Sequence, residues 1–312
     1  MSNRLRQTAR AVPRLESVTN RINGELFWGV LTVIPVIFLY LIIAIIPIGF
    51  AMVAALHDIN LLVPGWEFVG FSNYSEVLTL GEFWSSMWRG IIFMVGSTAI
   101  QLVVGLWMAL VLNKLIRGRR IITALVFTAY LVPTVILGFW ALFMFDTNFG
   151  VLHAAFSGFL WDENSFVFGN TTWALPVVIL VGSWKFSVFV TIFVLAQLQS
   201  IPQRQYEAAK IAGANRWQMF RDITFPRLKG VLAVVVLLRS IFMFNNFELI
   251  WILTRGGPGN ETTTLPILAY EVTFQQNAFG LGSTIAVVMF LFMAVGGVLY
   301  FFIANPSEEV DT

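Results

Sequence analysis

No cysteine occurs anywhere in the 312-residue sequence. That excludes a disulfide framework, a thiolate nucleophile and a Cys-ligated metal. No glycine is followed by lysine, so the phosphate-cradling loop G-x-x-x-x-G-K-[ST] is missing. The cluster Gly256-Gly257-Pro258-Gly259 lacks that lysine and reads as a tight turn. Histidine is limited to His57 and His153. Both fall in loops, where a lone imidazole is ordinarily solvated, so neither a metal site nor a catalytic triad is expected. Charge is scarce as well: 12% of residues are charged, about half the share of a soluble domain. What is abundant is apolar: 58% of residues are hydrophobic, 30 of them Phe, and mean hydropathy is +0.80. This is the composition of an integral membrane protein, and the length suits one transmembrane domain. The net charge of +2 is too small for the pI near 9.0 to signal a nucleic-acid partner.

Apolar runs cover about 26–56, 90–112, 121–145, 173–196, 230–253 and 281–304. Each is long enough to cross a hydrocarbon core of about 30 Å at about 1.5 Å per residue. Helices satisfy their own backbone in lipid, so the expected fold is an all-α membrane protein with six transmembrane helices. The first run is too long for a signal-peptide core and reads as an uncleaved span, kinked or bounded at Pro35 and Pro47. Within the runs only Lys185 and Arg239 are basic, and Glu248 is the sole carboxylate. Fifteen of the 19 Lys and Arg fall in residues 1–25, near 114–120 and in the loop 199–229. The positive-inside rule then places the N-terminal segment 1–25, those two loops and the tail 305–312 in the cytoplasm, around a membrane domain spanning 26–304.

The longest polar interval after the N-terminus is Ser200 to Lys229. Pro202 suits a helix start because its missing N–H would be unbonded there. Residues 203–211 are good helix formers, and Gly213 can end that helix in a left-handed cap. Asn215 can cap a second short helix, Arg216 to Asp222, which Pro226 would stop before the next apolar run. Two short helices at an angle would make a compact knob outside the membrane.

Within that knob Glu207-Ala208-Ala209 is followed after three residues by Gly213, and nine residues later by Ile223-Thr224-Phe225-Pro226. The order resembles the EAA loop of membrane subunits of ABC importers, which usually carry Leu in place of Phe225. Ala212 is a second departure, since many relatives have Asp before the glycine. The stretch Phe68-Val69-Gly70-Phe71-Ser72-Asn73-Tyr74 is similar to the F-x-G-x-x-N-Y signature of carbohydrate-type (maltose/trehalose/glycerol-phosphate) permeases. So are Ile201-Pro202, Trp184-Lys185, and Leu253 to Gly259 with Thr262 to Leu265 and Tyr270 following. The resemblance covers roughly residues 26–304.

The resemblance implies a permease subunit of a binding-protein-dependent sugar importer in a bacterial or archaeal inner membrane. Its partners would be a second permease (a paralogue in most such systems), two ATPase subunits that bind ATP and Mg, and an extracytoplasmic solute-binding protein. In the knob, Glu207 would pair with a basic residue of the ATPase, with Ala208 and Ala209 completing the motif. Gly213 would shape the bend, and Trp217 and Phe220 would anchor in the ATPase cleft. The alternative is a self-contained secondary carrier or channel. Such carriers place paired acids near the midplane and often show internal repeats; this sequence offers only Glu248 and no convincing repeat.

Polar groups inside a membrane are costly and face a cavity or a partner. The pathway candidates are therefore Lys185 with neighbouring Trp184, and Asn245, Asn246 and Glu248. At about 100° per residue the last three spread over roughly 160° of a helix. They cannot all line one narrow groove unless the helix unwinds there or one of them faces a partner. On one reading the asparagines bind sugar hydroxyls while Glu248 and Lys185 pair or support the site. On the other, all four simply join helices.

Overall fold

The computed structural model describes residues 28–114 and 118–304. The expected cytoplasmic segments 1–25 and 305–312, and Arg117, lie outside the described residues. The chain divides by its contacts into two units, Met1–Ala54 and Ala55–Thr312.

In the first unit, helix α1 (Trp28–Ala54) is about 40 Å long at 1.5 Å per residue. It passes through both prolines. Pro47 has no N–H to return to Ile43, and a π turn at Leu41–Ile45 stands immediately before it. The Ile46 N–H there reaches back to the Leu41 carbonyl.

The second unit starts with a two-residue antiparallel pair, β1 (His57–Asp58) and β2 (Glu67–Phe68), in which His57 faces Phe68. Gly70 (φ +58°) turns the chain, and the N–H groups of Val69 and Gly70 both donate to the Leu56 carbonyl. Short helix α2 (Ser72–Thr79) follows. Its buried Asn73 donates to the carbonyls of Ala55 (3.1 Å) and His57 (2.9 Å). Thr284 Oγ1 also donates to Ala55, at 3.2 Å. The stretch 68–74 thus staples this loop to the last helix.

Three long helices carry the unit: α3 (Gly81–Lys114), α7 (Ala174–Ser200) and α13 (Phe279–Ala304). Of their most apolar stretches, 67% is buried in α7, against 28% in α3 and 11% in α13. A helix that is apolar all round belongs at the centre, and α7 occupies that place. Its closest neighbour is α3, where Gly105 has no room for a Cβ: one would sit 2.5 Å from Val190 Cβ and 2.7 Å from the Ser187 carbonyl. Thr191 Oγ1 closes the contact by donating to the Gly105 carbonyl (3.3 Å).

Among the described residues four helices, α1, α3, α7 and α13, are long and apolar enough to cross a membrane. The expected continuous third span, 121–145, is instead two helices, α4 (Arg119–Leu131) and α5 (Thr134–Met144), bent by 91°. Pro133 explains the break: it has no N–H for the helical ladder and forces Val132 into an extended conformation (ψ 123°). Counting this pair as one span gives five.

The expected fifth span, 230–253, is also divided. Helix α10 (Phe225–Phe244) ends at Asn245, and α11 (Glu248–Leu253) begins after Phe247. Between the spans lie short helices α6 (Val151–Phe156) and α12 (Leu265–Tyr270). The expectation of a solvated His153 fails. The ring is buried: Nδ1 accepts from Trp161 Nε1 (3.2 Å), so Nε2 carries the proton given to the Glu163 carbonyl (2.9 Å).

Candidate coupling loop and solute pathway

The loop after α7 folds as its local chemistry directs. Helix α8 (Gln203–Ile211) starts after Pro202, and Gly213 takes φ +82°. Asn215 caps α9 (Arg216–Met219) in a complete capping box: its side chain accepts from Gln218 N–H (2.9 Å), and Gln218 Oε1 accepts from Asn215 N–H (2.7 Å). The second helix was expected to run to Asp222 and stop at Pro226. Instead α9 passes through a π turn, Phe220–Thr224, straight into α10. Pro226, two residues beyond that turn, offers no N–H to the continuous ladder, and the wider turn before it gives the ring room.

Tyr206 hydrogen-bonds Thr224 (2.9 Å), and Gln197 donates to the Arg227 carbonyl (3.1 Å), fixing the knob to the helices behind it. Its outer face is free. Glu207, Ala208 and Gly213 are exposed, Ala209 is half-buried, and Glu207 has no ion-pair partner among the described residues. Ile211 (89% exposed) and Trp217 (66% exposed) present apolar surface, and Trp217 stacks on half-buried Phe220 with centroids 5.8 Å apart. Asp222 is held below the usual carboxylate range by its hydrogen bond from neighbouring Arg221, which leaves Glu207 as the unpaired acid of the knob.

The pathway candidates separate into two places. Around Asn245–Phe247 the α10 ladder stops. Exposed Asn245 donates to the Ile241 carbonyl and to Met293 Sδ, both at 3.0 Å. Asn246 keeps a buried Oδ1 with no hydrogen-bond partner among the described residues, and Glu248 is exposed at the first position of α11. Lys185 is 5% exposed in the middle of α7 and donates to Thr134 Oγ1 (3.1 Å), the first residue after the Pro133 bend. It forms no ion pair with Glu248, although the carboxylate acts on it electrostatically. Trp184 points outward, 45% exposed.

A second buried cation was missed as a site. Arg239 is 2% exposed; its Nε donates to Gln101 Oε1 (2.7 Å), and its guanidinium lies over Phe186, Phe189 and Phe242 at 4.8, 5.4 and 5.8 Å. Gln101 in turn donates to Met243 Sδ (3.3 Å). The signal was a bare arginine in an apolar run; the glutamine that answers it lies 138 residues away.

Residues 101–305 match the family described as "binding-protein-dependent transport system inner membrane component". The chain belongs to that family. The match runs from Gln101 in α3 to the end of α13, taking in the knob and both broken helices. Over 273 residues the chain is 33% identical to the trehalose/maltose transport system permease protein MalF of Thermococcus litoralis, covering 87% of this chain and 92% of that one. It is 30% identical over 274 residues to the sulfoquinovosyl glycerol transport system permease protein SmoG of Agrobacterium fabrum, covering 86% and 87%. A bacterial ABC transporter structure, involved in import of the acidic polysaccharide alginate, shares the fold: TM-score 0.77 at 21% identity, over 94% of this chain and 98% of the other. Family members of this kind are ABC permeases, not ATPases, and the missing phosphate loop accords with that.

Proposed function

We propose that this permease forms, with a second permease (a paralogue), the path by which a sugar or sugar-like solute enters the cell. An extracytoplasmic binding protein would deliver the solute, and two ATPase subunits holding ATP and Mg would drive the cycle. The carbohydrate class is taken from the trehalose/maltose permease, matched along nearly its whole length. That likeness is the observation that carries the proposal. In this reading six segments cross the membrane, two of them broken, with both termini and the 203–219 knob in the cytoplasm.

The knob would seat in a cleft of the ATPase. Exposed Trp217 and Ile211, with Phe220 stacked behind, supply apolar anchors of the kind that mark partner surfaces. Unpaired Glu207 supplies a charge for a basic partner, and Gly213 holds the angle between α8 and α9.

The solute would pass the break at Asn245–Phe247. Irregular backbone at membrane depth is tolerated where it is buried in protein or lines a wet cavity, and broken helices recur at transporter binding sites. Asn245, Asn246 and Glu248 would meet the sugar hydroxyls there, with the unpartnered Asn246 Oδ1 as one acceptor. Lys185, fixed on Thr134, would support the site, and Trp184 would lie beside it.

The test is reconstitution in liposomes with the ATPase, the second permease and the binding protein, loaded with each of a panel of sugars. ATP-dependent uptake of at least one sugar is expected, and Asn245→Ala and Asn246→Ala should change its rate or preference. Uptake without ATP would favour the self-contained carrier. Unchanged kinetics for every sugar in both assembled variants would remove the asparagines from the path.

A further inference from the structure

A pocket of about 490 Å³ opens between the start of α4 and the end of α7, at the end of the bundle that leads into the 203–219 knob. Its polar part is formed by Arg119, Arg120, Thr123 and Gln199. Arg119 Nη2 and Thr123 Oγ1 are both buried without a hydrogen-bond partner among the described residues. Buried donors are nearly always satisfied, and a guanidinium left unpaired is especially costly. Among the described residues no carboxylate lines the pocket, and the sequence from Lys114 to Arg120 contains none. Neither Arg119 nor Arg120 takes part in an ion pair among the described residues.

The rest of the lining is apolar: Ala124 and Phe127 on α4, and Leu195 on α7. The order is regular. On α4 the arginines come first, Thr123 one turn further in, and Phe127 a turn beyond that. On α7, Gln199 lies near the helix end and Leu195 one turn deeper. The pocket therefore has a cationic mouth and an apolar wall that rises along both helices.

We infer that this pocket holds the phosphate headgroup of an anionic phospholipid. The two arginines and Thr123 supply donors to the phosphate oxygens, and Phe127 and Leu195 line the start of an acyl chain. A fork of guanidinium N–H groups matches phosphate geometry, and basic pockets between membrane helices take such headgroups. Free phosphate would use only the mouth and leave the apolar wall uncovered.

The full chain, alone and in the assembled transporter, is delipidated in detergent and titrated with phosphatidylglycerol, phosphatidylcholine or inorganic phosphate. Retained lipid is counted by native mass spectrometry. One phosphatidylglycerol should remain bound in both forms and phosphatidylcholine should not. Retention should fall about tenfold or more in Arg119→Gln, and by a smaller factor in Thr123→Val, which preserves shape. The inference is overturned by equal retention in the wild type and both variants, or by phosphatidylcholine binding as well as phosphatidylglycerol. It is also overturned if millimolar inorganic phosphate displaces the lipid, which would mark a soluble anion as the occupant. Lipid held by the isolated chain but absent from the assembly would give the pocket to a partner subunit instead, with the same result.

Discussion

Gly105 lets the backbones of α3 and α7 meet, and the walls it faces are the Ser187 carbonyl and branched Val190. Neither is the tip of a flexible chain, so Gly105→Leu should cost about 1–3 kcal/mol or more through overpacking. The measurement is the amount of folded protein recovered from membranes and its thermal midpoint; wild-type values would show that the helices can part there. Glu271, beyond the second broken helix, behaves differently. Burial, then the nearby Glu82 carboxylate, pushes its pKa above the ordinary value. A raised carboxyl pKa means the folded state holds the proton more firmly than the unfolded state. Its contribution to stability should therefore be greatest at acidic pH and decline as pH rises from the ordinary carboxylate range through the raised value. Glu271→Gln should flatten that slope in a thermal-melt series. At this scale the sequence was legible where partners are neighbours. Pro202, Gly213 and Asn215 act through the next three residues, and the structure uses each as local chemistry requires. His153 and Arg239 were not legible, because what buries them, Trp161 and Gln101, is set by tertiary packing.

Helices show the same division between local and distant causes. Four of the prolines in apolar or bordering segments have three outcomes. Pro47 and Pro226 each follow a π turn that absorbs them, Pro133 breaks the chain by 91°, and α1 continues past Pro35. The residue is the same each time; what differs is whether the surrounding turn can open or the flanking segment can dock elsewhere. The break at Asn245 was foreshadowed by a conflict of angle, since three polar groups could not share one groove of an intact helix. Arg239 and Gln101 link α10 to α3, and their removal should be non-additive. Gln101→Leu alone leaves a buried guanidinium short of a partner and should cost about 1–3 kcal/mol. The double change Gln101→Leu/Arg239→Leu should cost less than the sum of the singles in a thermal-melt cycle. For the knob, Glu207→Lys and Gly213→Pro should leave the subunit in the membrane but lower transport-stimulated ATP hydrolysis in the reconstituted complex. Normal stimulation in both would detach the knob from coupling.

Across the whole molecule, the absence of cysteine makes orientation directly measurable. Cysteines at exposed Ser75 and exposed Arg204 should label from opposite sides of the membrane, Arg204 from the cytoplasm. Asn73, two residues before Ser75, is buried and would report poorly. One last consequence concerns the two broken helices together. Beyond their breaks, α5 and α11 pack on each other, and a Cβ on Gly138 would lie 2.5 Å from Ile252 Cγ2 and 3.2 Å from its Cβ. Packed that closely they make one leaf, bounded by the breaks at Pro133 and Asn245–Phe247, and are expected to move together. A cysteine pair at 138 and 252 is close enough to cross-link, and the bond should leave transport at its normal rate; a transporter stalled by it would mean that the leaf must split.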